Sequence, residues 1–276
     1  MITTAEGVKK YIKGLNDLSS RTALLSEILT IDEDGRAPAA ELDKLIAHDK
    51  LLAQRVLRVA NSGAFGHSGE ITDIHQAVLF LGFERIKSLA AGMTAVGMFR
   101  FKTSSHIEKL WIHGYEVGFI AAALSRYIHS VQPVQSFLAG LLHDVGRIVF
   151  HGMNQEESWK IKTDGSMLEQ EARAFGCTHE EAGVWFCEAM TLPREISTAV
   201  GCHHTPSRPK EIKPLVSAVS LAEALSKKFD PRPESDGVWT EEHDSIMHEF
   251  FLKDEDMSAI SRRLAAAGPE IQVFFT

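Results

Sequence analysis

The chain has 276 residues, 44% hydrophobic and 24% charged, the makeup of an ordinary soluble globular protein. No stretch approaches the roughly 18 consecutive apolar residues of a spanning helix, and the opening MITTAEGVKKYIKGLND lacks the apolar core of a secretory signal. A net charge of −8 gives no general attraction to phosphate backbones or anionic lipid, and Cys177, Cys187 and Cys202 form no C-x-x-C pair, so reduced thiols in the cytoplasm are expected, with no membrane role.

Helix signals dominate from the start. Val8, Tyr11, Ile12 and Leu15 stand at i, i+3, i+4 and i+7, one face of a helix. Capping boxes, in which a hydroxyl and a carboxylate three residues on satisfy each other's backbone N–H groups, are predicted at Thr3/Glu6, Ser105/Glu108, Ser166/Glu169 and Thr178/Glu181. Helices follow over 39–47, 50–61, 72–81 and 83–99, the last with a possible break at Gly92. Pro38, Pro193 and Pro214 suit first turns, and Asn61-Ser62-Gly63 suits a left-handed C-cap. Residues 100–104 read as a short joint. A second bundle is expected over 106–129, 133–145, 167–175, 179–190, 193–204 and 214–228. Asp230 to Gly237, rich in Pro and acids, reads as a surface linker. An acidic tail bearing His243 and His248 comes after it. No run alternates with period 2. The expected fold is all-α: an N-terminal helical lobe (1–104), a second helical domain (105–229), then a linker and helical tail (230–276).

The segment FLAGLLHDVG (137–146) is the most informative. An ionisable pair, His143-Asp144, closes an apolar helix, where leaving it unpaired would cost several kcal/mol. A metal, a salt bridge or helix-end hydrogen bonds would each satisfy it. Singly, the neighbouring candidates have plain explanations. His113 shares a row with Val117, Ile120 and Leu124 and suits a core histidine. His179 suits a solvated helix start, His203-His204 a fraying helix end, and Glu223 a solvated break in an apolar run. Together, imidazoles and carboxylates on four helices suit a borderline cation such as iron, manganese, nickel or zinc.

The order His113, His143-Asp144, His179, His203-His204 and a late acid, Glu223, resembles the HD superfamily of metal-dependent phosphohydrolases. From about Leu42 to Lys228 the chain more specifically resembles the HDOD (HD-related output domain) family. Ile46-Ala47-His48-Asp49, Leu57 to Ser62 and Ile71 to Gly82 carry the first half; Leu110 to His113, Leu138 to Gly146, Phe175 to Gly183, Leu192-Pro193 and His203-His204 carry the second. The family's Leu-Pro-rich opening is replaced by Leu18-Ser19-Ser20-Arg21-Thr22-Ala23-Leu24. The resemblance implies a helical lobe before an HD-type helical domain. It implies one cation on His113, His143, Asp144 and Glu223, and a second on His179, His203 and His204 with Asp144 bridging, iron being the first expectation. It also implies a regulatory role toward a signalling partner, with a metal-dependent phosphohydrolase acting on a phosphoester or nucleotide as the alternative, in which Asp144 and Arg147 would be catalytic. Three departures weigh against turnover. Arg147 replaces the lysine of the related cyclic-dinucleotide phosphodiesterases, Glu223 replaces an aspartate, and Thr205-Pro206-Ser207 stands where their Gly-Tyr-Pro would be. A third reading, a nucleic-acid module, would use Arg55, Arg58, Arg85 and Lys87, whose ordinary explanation is solvated helix faces.

Overall fold

The computed structural model describes residues 4–15, 18–62, 71–99, 104–128, 130–163, 166–209, 211–230 and 232–275, and every regular element among them is a helix. The chain forms two compact units, one of residues 1–16 and 101–260, the other of 17–100 and 261–276. The predicted joint lies almost wholly outside the described residues; only Ser104 is described.

α1 (Ala5–Lys13) begins at Thr4, whose hydroxyl accepts from the Gly7 N–H. The N-cap thus falls one residue beyond the predicted Thr3, which is itself outside the described residues, and with Gly7 at N3 no reciprocal box forms. Val8 and Ile12 are buried on the predicted face.

The second unit holds α2 (Leu18–Thr30), α3 (Pro38–His48), α4 (Lys50–Ala60), α5 (Ile74–Leu81) and α6 (Phe83–Val96) around Leu25, Ile28, Leu42, Ile46, Val56, Ile86 and Leu89. α6 runs unbroken through a buried Gly92. Gly82 joins α5 to α6 at φ +90°, a conformation only glycine adopts without strain. Asn61 does cap α4, but at φ −88° rather than in the expected left-handed region. Its carboxamide acts as a piece of backbone instead, donating to Leu57 O and Ile71 O and accepting from Ile71 N–H.

The first unit continues with α7 (Ser105–Leu124), α8 (Pro133–Leu142), α9 (Val145–Met153), α10 (Gln155–Lys160), α11 (Met167–Phe175), α12 (His179–Ala189), α13 (Arg194–Val200), α14 (Lys213–Phe229) and α15 (Glu241–Glu249). α16 (Asp254–Ala266) crosses the division at residues 260–261, and α17 (Gly268–Phe274) returns to the second unit. α1 belongs here and not to the predicted N-terminal lobe, because its apolar face is covered by α9 and α12. α7 and α8 pack backbone to backbone: a Cβ on Gly140 would lie 2.6 Å from Gly118 Cα. That approach sets His113 on α7 beside the end of α8. The predicted helix 133–145 stops at Leu142, and His143-Asp144 forms the turn into α9. α9 and α10 lie outside the predicted helices, the apolar run Ile148-Val149-Phe150 being too short to show a period.

Capping follows the sequence unevenly. Ser104, not Ser105, caps α7, accepting from Ile107 N–H. Ser166 precedes α11 but makes no cap bond to its backbone. Thr178/Glu181 forms the full reciprocal box on α12. Thr178→Ala is therefore expected to lower stability by about 1 kcal/mol, visible as a drop in the urea midpoint at unchanged slope.

Candidate metal centre

Five stretches of the first unit bring the predicted ligands together. His113 comes from α7, His143 and Asp144 from the α8–α9 turn, His179 from the first residue of α12, His203 and His204 from the turn after α13, and Glu223 from α14. Glu223 Oε2 lies 2.8 Å from His113 Nε2 and 3.1 Å from His143 Nε2. Asp144 Oδ1 lies 3.5 Å from His179 Nε2, which is 3.3 Å from His203 Nε2 and 3.2 Å from His204 Nε2. All but the half-buried His204 are buried.

The outer partners fix which way each imidazole faces. His143 Nδ1 is 2.7 Å from Gly140 O and His203 Nδ1 is 2.8 Å from Val200 O. A carbonyl only accepts, so each Nδ1 carries a hydrogen, and in the neutral ring each Nε2 presents a lone pair inward. Glu171 plays the same part for His179, accepting from its Nδ1–H and from its backbone N–H at 2.8 and 2.7 Å. Lone pairs of His179 and His203 thus face each other at a separation that repels unless a cation or a proton stands between. In the other half, both ring nitrogens of His113, His143 Nε2, Asp144 Oδ1 and Glu223 Oε2 are buried without hydrogen-bond geometry, despite their short separations. Donor atoms of His113, His143 and Asp144, and of His179, His203 and His204, cluster within 4.8 Å in each set. Buried donor atoms without hydrogen-bond geometry in the first set, and three imidazole nitrogens meeting one another in the second, fit a metal ion.

The charges agree. Burial alone pulls the His143 and His179 imidazoles down, but Asp144 and Glu223 push the first up to about 9, while Glu171 and Asp144 push the second up to about 10. Burial raises the Asp144 carboxyl, and Arg147 followed by His143 and His179 overrides it, holding it far below the usual range. Burial likewise raises Glu223, which His113 and His143 then pull well down. His203, buried and surrounded by imidazoles, is held neutral. Ligation requires neutral imidazole, so a cation entering at pH 7 must expel protons from His143 and His179. Apparent affinity is expected to rise from pH 6 toward about 10, the higher of the two values. Calorimetry in two buffers of different ionisation enthalpy measures the protons released.

The sequence misplaces one segment. Of the predicted surface linker, Asp230 and Pro233 are exposed, Pro231 lies outside the described residues, and 234–237 are not at the surface, since Glu234, Ser235, Asp236 and Gly237 are buried. Ser235 Oγ and Gly237 N–H both donate to Glu223 Oε1, at 3.0 and 2.8 Å, leaving Oε2 to face the imidazoles. Arg147 Nη1 donates to Asp144 Oδ2 and to Glu234 O. Glu171 and Asp236 carry no sequence signal; each is one acid among many until the fold places it. The predicted nucleic-acid residues do not form a free basic face. Lys87 is buried with Nζ donating to Ile31 O, Arg85 is paired with Glu270, and Arg55 donates to Phe274 O. Arg58 alone of the four is exposed.

A cavity of about 210 Å³ opens on the cluster, with His203, His204, Glu223, Asp236, Gly237 and Glu242 in its wall. Among the described residues that wall holds no lysine or arginine. No helix among the described residues is long and apolar enough to cross a membrane.

The family model described as the HDOD domain matches residues 18–206. An uncharacterized protein of Treponema pallidum (strain Nichols) is 26% identical over 225 residues, 78% of this chain and 43% of that protein, so the chain spans less than half the length of this curated relative. A protein provisionally described as a phosphohydrolase, from Shewanella amazonensis SB2B, superposes with a TM-score of 0.68 at 19% identity, over 93% of this chain and 91% of that one. One provisionally described as a signal transduction protein, from Marinobacter aquaeolei VT8, gives 0.73 at 18% identity, over 92% and 59%. At these identities the likeness is one of fold.

Proposed function

The chain belongs to the HDOD domain family, and on that premise we propose that it is a regulatory protein whose histidine–carboxylate cluster holds a divalent transition metal and hydrolyses phosphoesters weakly or not at all. His113, His143, Asp144 and Glu223 would hold one cation, and His179, His203 and His204 would hold a second, with Asp144 shared. Many imidazoles and few carboxylates favour iron, manganese, nickel or zinc over magnesium or calcium, and the family resemblance puts iron first among them. When bound, such an ion polarises a phosphoryl oxygen or a water.

The observation that carries the regulatory reading is the cavity wall. Phosphoryl transfer needs positive groups where charge develops on the equatorial oxygens. Here Glu223, Asp236 and Glu242 line the cavity with no lysine or arginine beside them among the described residues. The cation nearest the cluster, Arg147, spends its Nη1 on Asp144 and on the Glu234 carbonyl. The metal would thus act chiefly as a brace, because ligands drawn from separate helices tie those helices together. The output would be read by a signalling partner, and a small phosphoester or nucleotide would be held in the cavity by the bound cation rather than by its acidic wall. The alternative, a metal-dependent phosphohydrolase, is favoured by the inward-facing imidazoles and by the shared fold with the Shewanella protein.

The test is a steady-state screen of phosphomonoesters and diesters, cyclic dinucleotides included, with iron, manganese, nickel and zinc loaded in turn. The regulatory reading expects rates equal to those of Asp144→Ala. Metal-dependent turnover that disappears in Asp144→Ala would replace it with the hydrolase.

A further inference from the structure

Asp236 is the side chain that the site described so far leaves unexplained. It follows α14 in a stretch whose composition suits solvent, yet its side chain is only 3% exposed. Both its oxygens are buried without a hydrogen-bond partner. An ionised carboxylate in that position is costly unless a positive group faces it. What faces it is the imidazole cluster: Oδ2 lies 3.3 Å from His204 Nε2, out of hydrogen-bond geometry. Donor atoms of Asp144, His179 and Asp236 also fall within 4.8 Å of one another.

We propose that Asp236 is a ligand of the second cation, completing the set His179, His203 and His204, and that the strap 234–237 is therefore part of the metal centre. The inference rests on the reading of the cluster as a metal site. Three imidazoles alone would bring a dication no negative charge, and Asp144 is shared with the first position and with Arg147. Asp236 supplies the missing anion on the side that His204 occupies.

The neighbours of Asp236 in sequence make the strap a single device. Glu234 O takes Arg147 Nη1–H, while Ser235 Oγ and Gly237 N–H orient Glu223. A Cβ at Gly237 would sit 2.7 Å from Glu223 O, so glycine is needed for the strap to lie this close to α14. Four successive residues thus address the centre, and Asp236 is the one whose partner is a cation. Removing that cation leaves Asp236 near the Asp144 carboxylate with only the His179 and His204 imidazoles to offset their charge. The strap then loses its anchor, and the cavity wall formed by Asp236, Gly237 and Val238 loosens with it.

The experiment counts ions and watches the strap. Wild type and Asp236→Asn are purified without air, stripped, and titrated with manganese, with elemental analysis and paramagnetic resonance as readouts. Wild type is expected to bind two ions per chain with a spin-coupled signal. Asp236→Asn should bind one, the second affinity falling at least about 100-fold, the upper end of what loss of an outer partner alone does. Two ions at unchanged affinity in Asp236→Asn would overturn the proposal, and so would a single ion in wild type that the substitution leaves alone; both results would spare the metal centre. A wild type that binds none would overturn the centre and this inference together. Should Asp236→Asn fail to fold, hydrogen exchange on wild type decides. Protection across 235–238 is expected to fall on chelation while that of α7 persists, and equal protection in both states would refute the role of the strap.

Discussion

Asp144→Ala is expected to abolish cation binding and, independently, to destabilise the metal-free chain by about 3–5 kcal/mol, the usual penalty for removing one partner of a buried pair. Asp144 sits where both donor sets meet, so its loss removes the shared carboxylate. It is also the counter-ion of Arg147, whose guanidinium is buried and would be left with only the Glu234 carbonyl on Nη1. The two effects separate in a double variant. Asp144→Ala with Arg147→Met removes the uncompensated guanidinium and should recover most of the stability while recovering no metal, a non-additivity that a double-mutant cycle reads directly. Urea unfolding of chelated protein is the measurement. A single-variant loss below about 1 kcal/mol, the level of an exposed pair, would mean that Arg147 does not depend on Asp144.

Gly146→Ala is expected to be as damaging through backbone alone. A Cβ there would fall 2.1 Å from His179 O and 2.7 Å from His179 Cα, and no side-chain rotation relieves a clash with backbone. α9 and α12 would have to separate, at the upper end of or beyond the roughly 1–3 kcal/mol typical of overpacking. Because the obstructing residue is itself His179, the shift would also draw its imidazole from Asp144 and weaken metal binding. Gly268→Ala, where nothing lies within 4 Å, is the control and should be close to neutral. Comparable losses at both positions would indicate a general effect of glycine replacement rather than this contact.

The difference between these two glycines is invisible in the sequence, and it marks where the sequence stops being legible. The all-helical architecture follows from periodicity and from caps such as Thr178/Glu181, both local properties. The histidine and acid candidates could be picked out because each sits at a helix end or on an apolar face, where an ionisable group needs a reason. The strap could not. Pro, Ser, Gly and acids in 230–237 read as solvent, and only the hydrogen bonds to Glu223 and the burial of Asp236 show otherwise. Likewise α1 shows an apolar face but not what covers it. Arg85 and Lys87 show charge, but not that Glu270 and the Ile31 carbonyl already hold it. The helix predicted to run to 145 ends at 142, with His143 Nδ1–H turned back onto the Gly140 carbonyl, so the ligand pair occupies a turn. Long-range pairing decides all of these but the last, and a local pattern carries no record of it.

The central claim is that the cluster around His143-Asp144 holds a transition metal. Elemental analysis of the wild-type chain purified without air and without added metal tests it most directly. At least one atom of iron, manganese, nickel or zinc per chain is expected, absent from Asp144→Ala prepared in parallel. A wild-type chain that is metal-free, or that carries magnesium alone, would contradict it.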